Sequence, residues 1–264
     1  IYWLIKLKKK FLASTFVLIL GLFFSSPYYK ISGKNAPLKD DLKVMTYNVR
    51  MFNRFKWSEE KDIPKKINEL IIANKPDVLL LQENFIVNNN PISFPYKYIK
   101  TKKEKDKFGM AIYSKFPIIN KGSLNLKATD NNIIFADIVK NKDTIRIYNM
   151  HMQSLSLSPN KENFGKENSK KLLEILMHRF KKQAYHTNTF LKHEQQWKGK
   201  KIIAGDFNNN AYSWMYNKIS NNKKDAFIES GKGFGKTFNY WFPMRIDFIL
   251  TDESANVNTY TSFT

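Results

Sequence analysis

One short stretch limits most strongly what this chain can fold into and do. It is an apolar run that ends at a glycine and is followed by two oxygen-bearing side chains. Residues 201–204 (KIIA) precede the segment 205–208 (GDFN). Because side chains alternate along an extended strand, Asp206 and Asn208 are predicted to point to the same side. A strand that delivers a carboxylate and a carboxamide at its carboxyl end is a common way to build a site. The alternative is a strand that runs into an Asp/Asn turn, which the following asparagines also suit.

The composition is that of a folded, strongly basic protein. Its 264 residues are enough for one large domain or two small ones, and its formal net charge is +21. Such a charge attracts polyanions, which include nucleic acid and acidic membrane surfaces. Lys and Asn are abundant throughout, as in proteins from AT-rich genomes, so codon supply is the alternative explanation of the charge.

The absence of cysteine narrows the possible chemistry. Disulfides, a cysteine nucleophile and thiolate metal sites are excluded. A metal site in this chain must use oxygen and imidazole ligands, which suits Mg²⁺, Ca²⁺ or Mn²⁺.

Residues 1–29 are predicted to form a hydrophobic membrane anchor region. An uncharged apolar run covers residues 11–24 and follows lysines at positions 6, 8, 9 and 10. A cleaved signal peptide is the alternative, but the chain begins with Ile1 and its first residues resemble the end of an earlier hydrophobic segment. The lysines would stay cytoplasmic, so the remainder is predicted to be extracytoplasmic. Residues 30–41 are predicted to be a linker.

Beyond the linker, strand and helix patterns alternate. Residues 42–47, 60–75 and 77–81 form a predicted strand–helix–strand unit in which polar residues follow both strands. If these strands are parallel, their ends meet at one edge of a sheet. We predict further strands at 96–101, 108–114, 118–126, 132–139 and 144–150, helices at 166–195 and near 211–219, and an extended segment at 237–250. The pattern predicts a two-sheet α/β sandwich.

The long predicted helix carries an apolar set and three histidines. The residues available for its core face are Leu172, Leu173, Leu176, Phe180, Tyr185 and Leu191. Metal binding is one interpretation of the histidines, and solvated positions on the helix surface are the favoured one. The histidines are His178, His186 and His193.

Polar residues that can act as ligands stand where several predicted strands end. Each of these residues also has an ordinary structural explanation. The asparagine can be a turn residue, the glutamate can be the first solvated position after a strand, and the histidine can be a packed or surface residue. The aspartate at 247 can form a salt bridge with Arg245. A site assembled from strand ends needs this arrangement, so its repetition in one chain favours a site. The residues are Asn48, Glu83, His151, Asp206, Asn208 and Asp247.

Ordered motifs carry a resemblance to a known family. They are VMTYNVR, LLLQEN, GMAIYSKFP, IYNMHMQ, IIAGDFNN and RIDFIL, over about residues 42–250. The ordered set resembles the endonuclease/exonuclease/phosphatase superfamily, which includes pancreatic deoxyribonuclease. The hydrophobic amino-terminal region resembles a membrane-anchored bacterial branch of it. The resemblance implies a four-layer α/β sandwich, with two packed mixed sheets flanked by helices, and a catalytic domain over 42–264.

The resemblance also implies Mg²⁺-dependent cleavage of phosphate esters, with Mn²⁺ as the other candidate ion. Glu83 would be the main metal carboxylate, with Asn48 beside it. Asp206 would position or deprotonate the attacking water, or bind a second metal. These residue types suit the reaction, because hard oxygen ligands hold Mg²⁺ and a carboxylate within reach of water can act as a base.

Further roles follow from the resemblance by position. Asn208 would hold a phosphate oxygen, and Arg50 would contact a phosphate. His151 would lie next to the scissile phosphate, with Asp247 orienting it and stabilising its charged form. A histidinium backed by a carboxylate can stabilise charge that develops on a phosphate or leaving oxygen.

The sequence departs from the family pattern at its end. The family places a Ser-Asp-His segment shortly after the strand of Asp247, whereas here Thr251 and Asp252 are followed by no such triplet before Thr264. Asp252 is not a convincing substitute. Truncation of the catalytic domain at its C-terminus is favoured over degeneracy, and the 264-residue chain is predicted to be weakly active or inactive.

The sequence therefore predicts a metal-dependent phosphodiesterase that acts as an endonuclease or exonuclease on nucleic acid. A phospholipid, sphingomyelin-type or inositol-phosphate phosphoesterase of the same fold is one alternative. A catalytically degenerate, membrane-anchored binding protein is the other. No protein partner can be inferred.

Overall fold

The structure is a computed structural model that describes residues 2–6, 9–23, 28–86, 92–103, 105–127, 129–155, 166–238 and 243–263. Its helices are α1 (Tyr2–Ile5), α2 (Phe11–Phe23), α3 (Ile63–Asn74), α4 (Lys166–Glu194), α5 (Trp214–Ser220) and α6 (Ala226–Ser230). Its strands are β1 (Val44–Asn48), β2 (Val78–Phe85), β3 (Tyr96–Thr101), β4 (Phe108–Ser114), β5 (Ile118–Ser123), β6 (Asn132–Lys140), β7 (Asp143–His151), β8 (Lys200–Asp206), β9 (Lys223–Asp225) and β10 (Asp247–Asp252).

The strands form two mixed sheets. The first has the order β1-β2-β4-β3 and the second the order β5-β6-β7-β8-β10-β9. The β1–β2 and β7–β8 pairs are parallel, and the other described pairs are antiparallel. Each parallel pair needs a crossover, and α3 and α4 lie in those two connections. The prediction of an α/β sandwich with two mixed sheets is confirmed.

Three apolar clusters hold the layers together. The central cluster joins Leu80 of the first sheet to Ile147 of the second. On the outer face of the first sheet, Ile71 of α3 packs in a cluster with Leu79, while Phe190 of α4 belongs to the cluster on the second sheet. Leu79 and Leu80 point to opposite faces because side chains alternate along a strand, which explains the continuous apolar run of β2.

The last predicted extended segment is only partly a strand. β10 begins at Asp247, and an isolated bridge pairs Phe238 with Met244. Residues 239–242 of the predicted segment lie outside the described residues.

The buried face of α4 matches the predicted one only in part. Leu191 packs against the cluster on the second sheet, as predicted. Leu173, Phe180 and Tyr185 are 57%, 48% and 49% exposed. Most residues on the true buried face are polar, so the search for an apolar stripe missed it, although their spacing is helical. This face consists of Gln183, His186, Thr187, Phe190 and Glu194.

Partners from distant parts of the chain satisfy this polar face. Gln183 donates from Nε2 to the carbonyl oxygen of Gln153 at 2.7 Å. Glu194 pairs with Lys223 at 2.9 Å. Buried polar groups need hydrogen-bond partners, and here the partners come from distant parts of the chain. The sequence pattern of the helix alone therefore does not identify them.

The histidines of α4 do not all meet the expectation of solvated positions. His178 is exposed as predicted. His193 is half-buried, with Nδ1 3.0 Å from the hydroxyl oxygen of Tyr148. His186 is fully buried, and neither of its ring nitrogens has a hydrogen-bond partner in the described part of the chain. Burial is the main reason that the pKa of His186 is lowered to about 4, and nearby Lys182 adds to the effect.

Stability is therefore expected to depend on pH through His186. The unfolded chain protonates this histidine near a pKa of 6.5, whereas the fold keeps it neutral down to about pH 4. The unfolded state thus binds more protons between these values, so the free energy of unfolding falls as the pH is lowered through this window. The expected loss is on the order of 3 kcal/mol.

Urea unfolding between pH 4 and pH 7 measures this effect. A His186→Leu variant should flatten the pH dependence in the window, because an apolar side chain has no proton to gain. The control His178→Leu replaces an exposed histidine of the same helix and should leave the slope unchanged. If the free energy of unfolding changed equally with pH in the wild type and in His186→Leu, His186 would not be the source of the pH dependence.

The amino-terminal segment carries α1 and α2. The side chains of α2 from Leu12 to Leu20 are exposed. Among the residues that the structure describes, no helix has the length and apolar character needed to cross a membrane. The predicted anchor remains a prediction.

Candidate active site

The carboxyl ends of the parallel strands bring the predicted site residues to one end of the sandwich. Asn48 ends β1, His151 ends β7 and Asp206 ends β8. In the ladder, His151 lies beside Asp206, and antiparallel pairing of β10 places Asp247 on the other side of Asp206. One open cleft is lined by the seven predicted site residues, Asn48, Arg50, Glu83, His151, Asp206, Asn208 and Asp247.

Glu83 reaches the cleft through a bulge in β2. The register between β2 and β4 shifts between Leu81 and Asn84, and Glu83 has a positive φ of 48°. A bulge bends the strand and re-aims a side chain, which is why bulges occur next to active sites. A left-handed backbone is costly for a residue with a Cβ, so the surrounding sheet must hold it in place.

The amide of Asn48 joins the two acidic side chains of the site. Its Nδ2 donates to Glu83 Oε1 at 3.1 Å and to Asp206 Oδ2 at 3.0 Å. His151 Nε2 lies 3.7 Å from the same Oε1 of Glu83. Carboxylates from two different sheets therefore converge on one point.

Burial and like charge raise the pKa values of the two aspartates. Burial raises the pKa of Asp206 above its usual range, whereas His151 and hydrogen bonds from Asn48 and Asn208 lower it. Burial also raises the pKa of Asp247 well above its usual range, and the neighbouring charge of Asp206 adds to this effect. The buried carboxylate of Asp206 beside the partly buried carboxylate of Asp247 favours a bound cation, which would offset their repulsion.

Asn208 takes part in both a turn and the site. Its φ is 52°, a left-handed conformation that asparagine tolerates well. Its backbone N–H donates to Asp206 Oδ1 at 2.7 Å, and its Nδ2 donates to the Met152 carbonyl oxygen at 2.9 Å. The two interpretations of the sequence are thus compatible, because the turn fixes the orientation of Asp206.

Arg50 begins a left-handed turn at the rim of the cleft. The φ angles of residues 50–53 are 40°, 53°, 54° and 59°. The backbone N–H of Arg50 donates to Asn48 Oδ1 at 3.1 Å, so the turn is coupled to the site amide. The guanidinium lies 5.4 Å from the ring centre of Trp57, which is 57% exposed. An aromatic ring and a cation therefore lie together beside the cleft.

Asp247 and His151 line the same cleft without a hydrogen bond between them among the described residues. The backbone N–H of Asp247 donates to the Thr237 hydroxyl at 3.1 Å. The proposed support of His151 by Asp247 thus stays a prediction. The acidic side chains that the structure places near His151 are Glu83, at 3.7 Å, and Asp206, its neighbour in the ladder.

The family is decided by a comparison with protein-family models. The model of the endonuclease/exonuclease/phosphatase family matches residues 45–263, which include all the residues that line the cleft as predicted. The chain belongs to the endonuclease/exonuclease/phosphatase family. Members of this family are usually hydrolases that act on phosphate esters. No curated protein matches the chain.

Several solved structures share the fold at low sequence identity. The human Nocturnin catalytic domain is 17% identical, with a TM-score of 0.55 over 83% of this chain and 85% of that one. Mannosyl-6-phosphatase Bt3783 from Bacteroides thetaiotaomicron is 18% identical, with a TM-score of 0.53 over 81% and 86%. The 3′ phosphatase NExo from Neisseria, bound to a product DNA hairpin, is 19% identical, with a TM-score of 0.51 over 81% and 88%. These likenesses establish the fold alone.

The family generally uses divalent metal ions, and the donor set of the cleft suits a hard cation. Glu83 and Asp206 offer carboxylate oxygens within hydrogen-bond distance of the same Asn48 amide. Within the described ranges, no group of three or more His, Cys, Asp or Glu side chains is arranged as a metal cage. The two carboxylates suit a hard divalent ion such as Mg²⁺, which keeps several waters and needs only one or two carboxylates.

Sequence reasoning missed the residues that brace the site. Asn149 of β7 is fully buried and donates from Nδ2 to the carbonyl oxygens of Leu81 at 3.0 Å and Ala111 at 2.9 Å. Its Oδ1 accepts from Gln82 Nε2 at 2.6 Å. These bonds tie the second sheet to the first next to Glu83, so they hold together the two halves of the site. The only sequence signal was a pair of amides at the ends of apolar strands.

Proposed function

We propose that the chain is a divalent-metal-dependent phosphodiesterase that acts on nucleic acid. The observation that carries the proposal is the convergence of Glu83 and Asp206 on the Asn48 amide, with His151 3.7 Å from Glu83. This arrangement combines hard oxygen donors, a buried carboxylate and an imidazole at one end of an open cleft. Hydrolysis of a phosphate ester needs these groups together, because the substrate is anionic and the nucleophile is water.

Each residue has a role that its surroundings support. Glu83 and Asn48 would hold Mg²⁺ or Mn²⁺, which when bound neutralises charge on the phosphate oxygens. Asp206 would orient the attacking water and accept its proton, a role that the raised pKa of this buried carboxyl favours. His151 would donate a hydrogen bond to a phosphate oxygen. Asn208 keeps Asp206 in position through its backbone N–H.

Nucleic acid is favoured as the substrate by the rim of the cleft and by the charge of the chain. Arg50 can contact a phosphate, while the exposed ring of Trp57 beside it can stack on a base. Base–aromatic stacking contributes about 1–3 kcal/mol per base and tolerates any sequence. The net charge of +21 would also concentrate a polyanion at the surface.

A phospholipid or sphingomyelin-type head group is the second candidate substrate. The observation that favours it is α2, in which Leu12, Phe16, Val17 and Leu18 are between 57% and 71% exposed. A helix of this kind beside the domain would bring a lipid surface within reach of an open cleft.

A substrate comparison with the purified chain tests the proposal. With Mg²⁺ or Mn²⁺ present and at high protein concentration, a labelled single-stranded oligonucleotide and plasmid DNA should be cleaved at the low rate expected without the Ser-Asp-His segment, whereas sphingomyelin vesicles should release no phosphocholine. A chelator should stop cleavage, and excess Mn²⁺ should restore it. Release of phosphocholine without DNA cleavage would select the second candidate, and cleavage that persists in chelator would refute the metal dependence.

A further inference from the structure

The segment predicted as a linker lies along the domain in a fixed path. Lys30 and Gly233 exchange backbone hydrogen bonds of 2.9 and 2.8 Å. Further along, Asn35 forms a bridge with Thr259, and the N–H of Ala36 donates to the carbonyl oxygen of Asn258 at 3.2 Å. Repeated backbone contacts of this kind fix both the path and the direction of the segment.

Gly33 marks the closest approach of this segment to the domain. A Cβ at this position would lie 2.3 Å from the Ser230 carbonyl oxygen and 2.7 Å from that of Gly231. Both contacts are with backbone, which cannot move aside as a flexible side chain can. Only glycine therefore allows the segment to pack this tightly.

An aromatic collar surrounds the point where this segment begins. We give the name to four rings: Tyr28 stacks on Tyr212 at 6.0 Å and meets Phe234 edge-on at 6.2 Å, and Tyr29 meets Phe234 at 4.9 Å. Three of the rings remain exposed to solvent, at 44% for Tyr29, 53% for Tyr212 and 47% for Phe234. A contiguous exposed aromatic patch marks an interaction surface.

An apolar helix precedes the collar in the sequence. α2 ends at Phe23, five positions before Tyr28, and its side chains from Leu12 to Leu20 are exposed. Lysines flank the collar in sequence at Lys30 and Lys232. Tyrosine and phenylalanine rings with adjacent lysines suit the boundary between lipid and water, where each lysine near an anionic surface contributes about 1 kcal/mol.

We propose that the aromatic collar docks onto an anionic lipid bilayer and that the packed segment 28–36 holds the domain in a fixed orientation on it. α2 supplies the apolar contact, the collar lies at the interface, and the lysines contact acidic head groups. Segment 28–36 is thus not a flexible tether, because the backbone hydrogen bonds of Lys30 and Ala36 hold it against the domain.

Hydrogen bonds connect the aromatic collar to residues that line the catalytic cleft. The Tyr28 hydroxyl donates to the Pro243 carbonyl oxygen at 2.6 Å. Met244, the next residue, accepts from the backbone N–H of Thr237 at 3.0 Å, and Thr237 in turn accepts from Asp247 at 3.1 Å. A short chain of hydrogen bonds therefore links the collar to the site, so docking would bring the open cleft close to the membrane surface.

Single labels can test the orientation, because the chain has no cysteine of its own. An environment-sensitive dye would be attached to Lys232→Cys beside the collar, or to Ile119→Cys on β5, at the opposite edge of the second sheet. Vesicles of phosphatidylcholine with phosphatidylserine should shift the emission at position 232 to the blue and leave position 119 unchanged. Equal responses at the two positions, or a chain that does not bind the vesicles, would overturn the proposal.

A Gly33→Val change separates a fixed orientation from a flexible tether. The variant should still sediment with vesicles through α2, but the blue shift at position 232 should be lost because the segment can no longer pack. Retention of the shift would contradict the fixed orientation. Thermal unfolding of the domain checks that the variant is folded.

A second variant leaves the packed segment intact. Tyr29→Ser combined with Tyr212→Ser removes two half-exposed rings and should weaken vesicle binding roughly tenfold. The matched control is Tyr96→Ser, which removes an exposed tyrosine from β3 and should not change binding. Equal vesicle binding by the double variant and the control would contradict the proposal that the aromatic collar contacts the bilayer.

Discussion

A Glu83→Gln variant is expected to lose at least roughly 100-fold in the rate of phosphodiester hydrolysis. The change keeps the size of the side chain and its hydrogen bond to Asn48 but removes the negative charge that would hold a divalent ion. Loss of this ligand also weakens the site for metal, so the Mn²⁺ dissociation constant should rise by more than about tenfold. Initial rates and Mn²⁺ titration measure the two effects separately.

The matched control for this variant is Glu69→Gln. Glu69 is an exposed glutamate on α3, where it lies 3.9 Å from Lys65, and its replacement should change neither rate nor metal affinity. Because the Glu83 side chain is 31% exposed, the unfolding midpoint of Glu83→Gln should stay close to that of wild type. If Glu83→Gln kept the activity of the wild type, the proposed role of Glu83 in metal binding would be refuted.

A Gly205→Ala variant is expected to lose both stability and activity. Gly205 has a φ of 142°, and a Cβ there would lie 2.0 Å from the Met150 carbonyl oxygen and 2.7 Å from the Met150 nitrogen. Relief of this backbone clash must push β8 away from β7, at a cost of at least about 2 kcal/mol. Asp206 would move with the strand, and a shift of about 1 Å at a reacting group can cost 100-fold in rate.

Thermal unfolding and initial rates measure the two losses. Gly21→Ala is the control, since the same methyl group would meet nothing within 4 Å on α2. The control should keep the melting temperature and rate of the wild type. If the Gly205→Ala variant were as stable and active as the control, the strands would tolerate the extra methyl group. That result would contradict the predicted clash with the Met150 backbone.

The position of the site could be predicted because it follows from simple periodicities. Apolar runs identify buried strands, and parallel pairing brings their carboxyl ends together, as it does for His151 and Asp206. Asp206 and Asn208 both line the cleft, but the predicted strand alternation is not the reason, because β8 ends at Asp206 and Asn208 lies in a turn with a left-handed φ of 52°.

Other features of the structure depend on tertiary contacts that produce no periodic pattern in the sequence. The bulge at Glu83 and the left-handed turn at Arg50 are backbone conformations that their residue types do not favour, so the surrounding fold must impose them. The buried face of α4 escaped prediction because its partners, such as Gln153 for Gln183, lie far away in sequence. The packed path of residues 28–36 rests on backbone hydrogen bonds, which almost any sequence can form.

The most direct test of the central claim is to locate a bound cation in crystals grown with Mn²⁺. Anomalous scattering is expected to place one Mn²⁺ ion within coordination distance of a Glu83 carboxylate oxygen and next to Asn48, at the cleft shared with His151 and Asp206. A peak elsewhere, or no peak in crystals of a chain that cleaves phosphodiesters, would contradict the assignment of the strand ends as the metal centre.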